Sequence, residues 1–220
     1  ADHGGYVKRM KAAVSALSDA QTGFDVKLTQ LVKLYKDRAP FKMSKRAGTF
    51  VTLRDVIDQV GAEVARFVML TRKNDAPLDF DFDKVLEQSR ENPVFYVQYA
   101  HARIAGVLRN VEELAIPMGL SNFDPSQLSH DRENELLGTL AEFPGVVAAA
   151  AAFREPHRVA RYLEELAGVY HGFYADCRVL PMGDEQIAPI HSARAALCAA
   201  TMQVLANGLD LLGVSAPERM

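Results

Sequence analysis

The chain has 220 residues and a mass of 24.2 kDa, room for one large domain or two modest ones, each with a core of its own. Hydrophobic residues make up 49% and charged residues 24%, which excludes a disordered polymer, and the sequence reads without the run of about twenty apolar residues that a bilayer-crossing helix needs. The net charge of −3 argues against a generic basic nucleic-acid binder, yet it averages two unlike parts: residues 1–54 hold 11 Lys+Arg against 4 Asp+Glu, a net of +7, and residues 55–220 hold 14 against 24, a net of −10. The front segment can meet a polyanion on bulk charge; the remainder can do so only through placed side chains.

In chain order, the opening ADHGGYVKRM has no initiator Met and no apolar signal region, so a processed or truncated chain is expected. Residues 6–17 suit a basic helix with Tyr6, Met10, Ala13, Val14 and Leu17 on one face. From Phe24 to Tyr35 the alternation of Phe24, Val26 and Leu28 with Asp25 and Lys27 predicts a strand. It is the one convincing strand signal, and a lone strand makes no sheet, so its partner is expected outside this chain. A turn through Pro40 leads to a basic loop, Phe41 to Gly48.

Helices dominate from there. Thr52 caps LRDVIDQV, Gly61 stops it, and AEVARFVMLTR follows. Asp79 to Asp83 alternates like a short extended piece, after which Asp83 is expected to cap KVLEQSRE. Asn92-Pro93 starts a long helix that ends before Pro117. Two helices, near 131–143 and 145–154, flank Pro144. A third opens at Pro156 and runs to Leu180, with Val159, Leu163, Leu166, Tyr170, Phe173 and Cys177 spaced three and four apart as its core face. The last helix covers about 190–212. Cys177 and Cys198 lie within apolar helical patterns and read as core thiols; two cysteines make neither a disulfide framework nor a zinc site, so a reducing cytoplasm is the expected compartment. The five histidines from His101 onward show no metal-ligand spacing, so no metal site is expected.

The string Lys42-Met43-Ser44-Lys45-Arg46 is the sharpest chemical feature. Three cations in five residues between a strand and a helix suit a polyphosphate, whose developing charge ammonium groups can neutralise. KMSKR resembles the second signature of class I aminoacyl-tRNA synthetases. Neighbouring segments, ADHGGYVKRMKAA, KMSKRAGTFVTLRDV, RKNDAPLDFD, NPVFYVQYAHAR, VYHGFYADCRVL and LANGLDLLGVSAPERM, resemble in that order the C-terminal part of the arginyl-tRNA synthetase family.

That resemblance implies a mainly α chain: an incomplete Rossmann-like α/β remnant with the KMSKR loop at 1–50, a helical connector at 51–91, and an α-helical anticodon-binding bundle at 92–220. It gives Lys42 and Lys45 the catalytic role in amino-acid adenylation, and makes Met43, Ser44 and Arg46, together with Asp2, His3, Gly4 and Gly5, ATP-binding residues. It implies ATP with accompanying Mg2+, arginine and tRNA-Arg as reaction partners, and a monomeric cytoplasmic enzyme that does not engage a membrane. No HxGH string, the companion signature of that class, occurs in these 220 residues. The chain alone is therefore expected not to activate arginine. A catalytically inactive tRNA-binding module, or a helical interaction protein derived from a synthetase, remain the alternatives.

Within the helical part, Tyr99 and Arg103 share one helix face with Tyr96, and Tyr174 and Arg178 stand one turn apart with His171 beside them. Tyrosines stack on splayed bases, and arginines pair with base edges or phosphates. By family resemblance Tyr99, Arg103, Tyr174, Arg178 and Met220 are the expected tRNA-binding residues, whereas Tyr96 and Tyr170 fit core positions better. Every cation after Lys84 is arginine, whose planar fork suits such local contacts.

Overall fold

In the computed structural model, residues 3–37, 39–41, 50–89, 91–119 and 122–220 are described. The segment carrying Lys42, Met43, Ser44, Lys45 and Arg46 lies outside them, as does Asp2. A single 3-10 turn, Gly4–Tyr6, leads into helix α1, Val7–Leu17, none of whose residues is buried.

Strand β1, Val32–Lys36, is much shorter than the alternation from Phe24 predicted. Residues 24–31 have no ladder partner among the described residues. They are tied instead by single bonds, Gln30 N–H to the Asn74 carbonyl (2.8 Å) and the Asn74 side-chain amide to the Leu28 carbonyl (2.8 Å). The expectation that the strand pairs outside the chain is also corrected. It sits in the middle of a three-stranded sheet, antiparallel to β2, Ala39–Pro40, and parallel to β3, Leu78–Asp81, with Leu34 opposite Phe80. The Asp-Phe-Asp-Phe alternation that looked like an isolated extended piece supplies the parallel partner. It turns Leu78 and Phe80 inward and leaves Asp79 exposed.

Between β2 and β3 lie α2, Leu53–Val60, and α3, Ala62–Leu70. Thr52 caps α2 as predicted: its hydroxyl oxygen accepts the Asp55 N–H (3.1 Å), and the Asp55 carboxylate accepts the Thr52 N–H (2.7 Å). Gly61, at φ +83°, joins the two helices. The next helix, α4, spans only Phe82–Val85. Asp81, not Asp83, caps it, accepting from the Asp83 and Lys84 amides. Leu34, Val56, Val60, Ala65, Val68, Phe80, Phe82 and Val85 form a compact cluster between sheet and helices.

The long helix α5, Pro93–Glu113, starts where Asn92-Pro93 indicated, the Asn92 side chain accepting from Phe95 N–H (3.3 Å). Helix α6, Asp131–Phe153, is one element rather than two. Pro144 removes a single amide on its exposed side, while Phe143 and Val146 stay packed on the core and the Tyr162 hydroxyl donates to the Thr139 carbonyl (2.9 Å) across the same turn. By length and mean hydropathy (1.6 over 18 residues) α6 matches a membrane-crossing helix, contrary to the sequence reading; alanines carry much of that hydropathy, and the helix lies against α7, His157–Asp176.

Helix α7 ends four residues before Leu180 because Cys177 turns extended (φ −117°, ψ 101°). Its six predicted core residues are all buried. Helix α8, Pro189–Leu211, packs so closely on α7 that a Cβ on Gly208 would stand 2.5 Å from Leu163 Cδ2. Cys177 and Cys198 are buried and unpaired, and burial raises both thiol pKa values, Cys198 to about 12. The buried faces of α5, α7 and α8 make one continuous core, joined from the front by Phe67 of α3.

Candidate nucleic-acid interface

Helical spacing puts Tyr99 and Arg103 one turn apart on α5, and packing brings His171 and Tyr174 of α7 against them. The Arg103 guanidinium donates to the Tyr99 hydroxyl (2.7 Å) and to His171 Nδ1 (3.2 Å). A guanidinium only donates, so Nδ1 accepts and the ring proton resides on Nε2. The guanidinium carbon lies 4.6 Å from the Tyr99 ring centroid and 4.9 Å from that of Tyr174, a cation held between two π faces. Tyr99 in turn stacks on Phe95 (centroids 5.9 Å, planes within 7°). Tyr99 and Tyr174 remain 38% and 42% exposed, unusual for aromatic rings beside a large core and suited to receiving another flat group.

Arg103 is also the partition between two clefts. One, of about 670 Å³, is lined by Arg103, Arg109, Asn110, Tyr174, Asp176 and Arg178; the other, of about 500 Å³, by Phe95, Tyr96, Tyr99, Arg103, His171 and Ser89 among others. Three arginines therefore face one concave surface in a segment whose net charge is strongly negative.

Arg178 is held on both its ends. Its guanidinium donates to Glu185 Oε2 (2.7 Å), and its carbonyl accepts from Arg194 (2.8 Å). Arg194 is fixed by Glu133, a fully buried carboxylate at the start of α6, through a 2.6 Å bond, and Glu133 also accepts the His130 N–H (2.8 Å). Such a charge is tolerated inside because both oxygens are satisfied. The Met182 amide, with Arg178 adding its charge, keeps the Glu185 carboxyl below the usual carboxylate range, so Glu185 stays anionic and keeps its grip on Arg178 at neutral pH. Met220, 60% exposed, lies two residues beyond Glu218, whose carbonyl accepts from Arg109 (3.4 Å) at the cleft.

A family profile described as the DALR anticodon binding domain matches residues 97–220, more than half of the chain. The chain belongs to the DALR anticodon-binding domain family. This DALR chain is 60% identical, over its whole length, to 39% of an arginine–tRNA ligase of Roseobacter denitrificans, and 58% identical to 40% of one from Frankia alni. It thus spans about two-fifths of the length of these curated relatives, matching their C-terminal part. Among solved structures, a candidate arginyl-tRNA synthetase of Campylobacter jejuni superposes on the whole chain and 46% of its own (TM-score 0.83, 28% identity). The arginyl-tRNA synthetase of Thermus thermophilus superposes on 80% of this chain and 29% of its own (TM-score 0.59, 30% identity).

Within the DALR part, the fold brings Tyr99, Arg103, Tyr174 and Arg178 to one surface and carries the tail bearing Met220 to its edge. Tyr170 is fully buried, as its spacing predicted, and Tyr96 is packed against the core. His3, Gly4 and Gly5 are exposed at the front of the chain, away from the clefts; a Cβ on Gly4 would meet only Leu28 at 3.6 Å, and one on Gly5 nothing within 4 Å. Arg158, at the start of α7, bonds Glu155. Arg109 and Asn110 were missed by sequence reasoning. Extending the Tyr99–Arg103 stripe by two further turns gives Gly106 and Asn110, where a missing side chain opens the cleft that Arg109 borders.

Proposed function

We propose that the α5–α7 surface binds the anticodon loop of tRNA-Arg, and that the chain does so as part of an arginine–tRNA ligase. The observation that carries this reading is Arg103 poised between the exposed rings of Tyr99 and Tyr174, beside Arg109 and Arg178. Unstacked bases pack on the parts of the two rings that Arg103 and Phe95 leave exposed, each contact worth about 1–3 kcal/mol, and the arginines bond base edges or phosphates. The tautomer of His171 holds Arg103 in plane while the site is empty, so the fork is oriented before RNA arrives. With three arginines making the phosphate contacts, the affinity is expected to fall with salt at a log–log slope of only about −2.

In this reading, residues 1–50 close the catalytic domain, 51–91 connect, and 92–220 bind the anticodon. Lys42 and Lys45 stabilise the pyrophosphate that leaves ATP as the arginine carboxylate bonds the α-phosphorus to form arginyl adenylate, while Met43, Ser44, Arg46, Asp2, His3, Gly4 and Gly5 border the ATP site; Mg2+ arrives with substrate ATP. The relatives' names and the KMSKR string support this, and the same resemblance extends it to a cytoplasmic monomer. The test is tRNA-Arg binding by filter retention: Tyr99→Ala and Arg103→Lys each weaken affinity about tenfold, since lysine keeps the charge but loses the planar fork. Unchanged affinity in both variants would remove the interface. Lys45→Ala in the full-length enzyme tests the catalytic half: arginine-dependent pyrophosphate exchange at the wild-type rate would contradict it.

A further inference from the structure

The last residues form a strap gripped from two directions. Gly213, at φ +67°, turns the chain out of α8, and Val214 buries its side chain. Ser215 then meets Glu63, in the first turn of α3, which accepts its N–H (3.0 Å) on one oxygen and its hydroxyl (2.8 Å) on the other. Gln98 of α5 bridges the pair, donating to Glu63 (3.3 Å) and to the Ser215 carbonyl (3.0 Å). Farther along, His101 Nδ1 donates to the Pro217 carbonyl (2.8 Å), and Arg109 to that of Glu218 (3.4 Å). A carboxylate receiving two donors from one residue fixes that residue's backbone, because both bonds are charge-assisted and define a plane.

Core burial does not account for this clamp. Beyond Val214 only Ala216 packs on the hydrophobic core, and Glu218, Arg219 and Met220 are exposed. The bonds hold an outer length of chain in register along α5, and the Glu218 carbonyl meets Arg109, which lines the cleft shared with Arg103 and Arg178.

We propose that Glu63 is a positioning residue for the RNA interface: by gripping Ser215 through amide and hydroxyl it registers the strap on α5, and so sets where Arg109 and Met220 stand at the cleft. This rests on the tRNA reading above and adds to it a residue of α3 that touches no RNA. A consequence is that the small α/β region and the cleft are mechanically joined by a polar clip as well as by packing.

The experiment uses the 220-residue chain and an anticodon stem-loop of tRNA-Arg, followed by fluorescence anisotropy. Glu63→Ala and deletion of Arg219–Met220 each weaken binding about fivefold, and the double variant is no weaker than the deletion alone, because both act through one strap. Ser215→Ala, which keeps the amide bond, gives a smaller loss. Carboxypeptidase releases Met220 faster from Glu63→Ala than from wild type while the thermal midpoint stays within a few degrees. Losses that multiply in the double variant, or wild-type binding by Glu63→Ala, would overturn the proposal. If the wild-type chain ignores the stem-loop, or Arg103→Ala binds it normally, the tRNA reading itself fails and this role falls with it; normal loss on Arg103→Ala with none on Glu63→Ala sinks the positioning role alone.

Discussion

The bundle and the front region are built to different standards. In the bundle, α5, α7 and α8 each give a whole face to one core, with Leu163, Leu166, Tyr170, Phe173, Leu205 and Leu209 fully buried. In the front region eight residues around a three-stranded sheet make a small separate cluster, and α1 buries nothing, leaving Leu17 89% exposed. Helix α3 is the seam: Phe67 enters the large core, Ala65 and Val68 the small one, and Val64 touches both. Apolar residues of α3 thus face both clusters, while Glu63 and Arg66 make its polar side. The contrast shows that close packing is concentrated under the aromatic–arginine surface, where the proposed RNA interface needs its side chains held in place.

The largest expected effect comes from breaking that contrast directly. Phe173→Ala removes a fully buried ring and is expected to cost about 3–5 kcal/mol in urea unfolding, whereas Leu17→Ala changes stability by no more than about 0.5 kcal/mol. Equal losses would mean that α1 is as much part of the folded unit as α7. Packing density is sharpened by two glycines. Gly208→Ala forces a methyl into Leu163 and is expected to cost about 1–3 kcal/mol, while Gly138→Ala on α6 meets nothing within 4 Å and is expected to stabilise by about 0.5–1 kcal/mol.

The smallest effect is a proton. Burial holds the pKa of His157, at the start of α7, below 6.5, with Glu155 partly opposing. The folded state therefore resists protonation there. Its contribution is fully present above about pH 6.5 and is lost as pH falls through the lowered value. His157→Gln is expected to flatten the thermal-stability profile below about pH 6.5; an unaltered profile would assign that dependence to other groups.

The sequence revealed most of the bundle because its signals are local. Three-and-four spacing found the buried face of α7, Asn92-Pro93 the start of α5, and Thr52 the start of α2. It misled where a local pattern lacked a neighbour. Phe24 to Leu31 alternates like a strand but has no ladder beside it among the described residues, while Leu78–Asp81 became a strand because β1 lies parallel to it after two intervening helices. Pro144 read as a break because the loss of one exposed amide could not be weighed against packing on α7. The same limit governs the interface. Tyr99 and Arg103 are legible from one helix, but the second tyrosine face, the His171 acceptor and Arg109 come together only through packing, and Glu63 meets Ser215 across 152 positions.

The central claim is that an acidic bundle reads RNA through a few placed rings and forks rather than through bulk charge. It is tested most directly by the dissociation constants of the 220-residue chain for two stem-loops of identical length and charge, one with an arginine anticodon and one with that anticodon replaced. The account predicts at least about tenfold preference for the arginine anticodon, reduced to near parity by Arg103→Ala. Equal affinity of the wild-type chain for the two loops would contradict it.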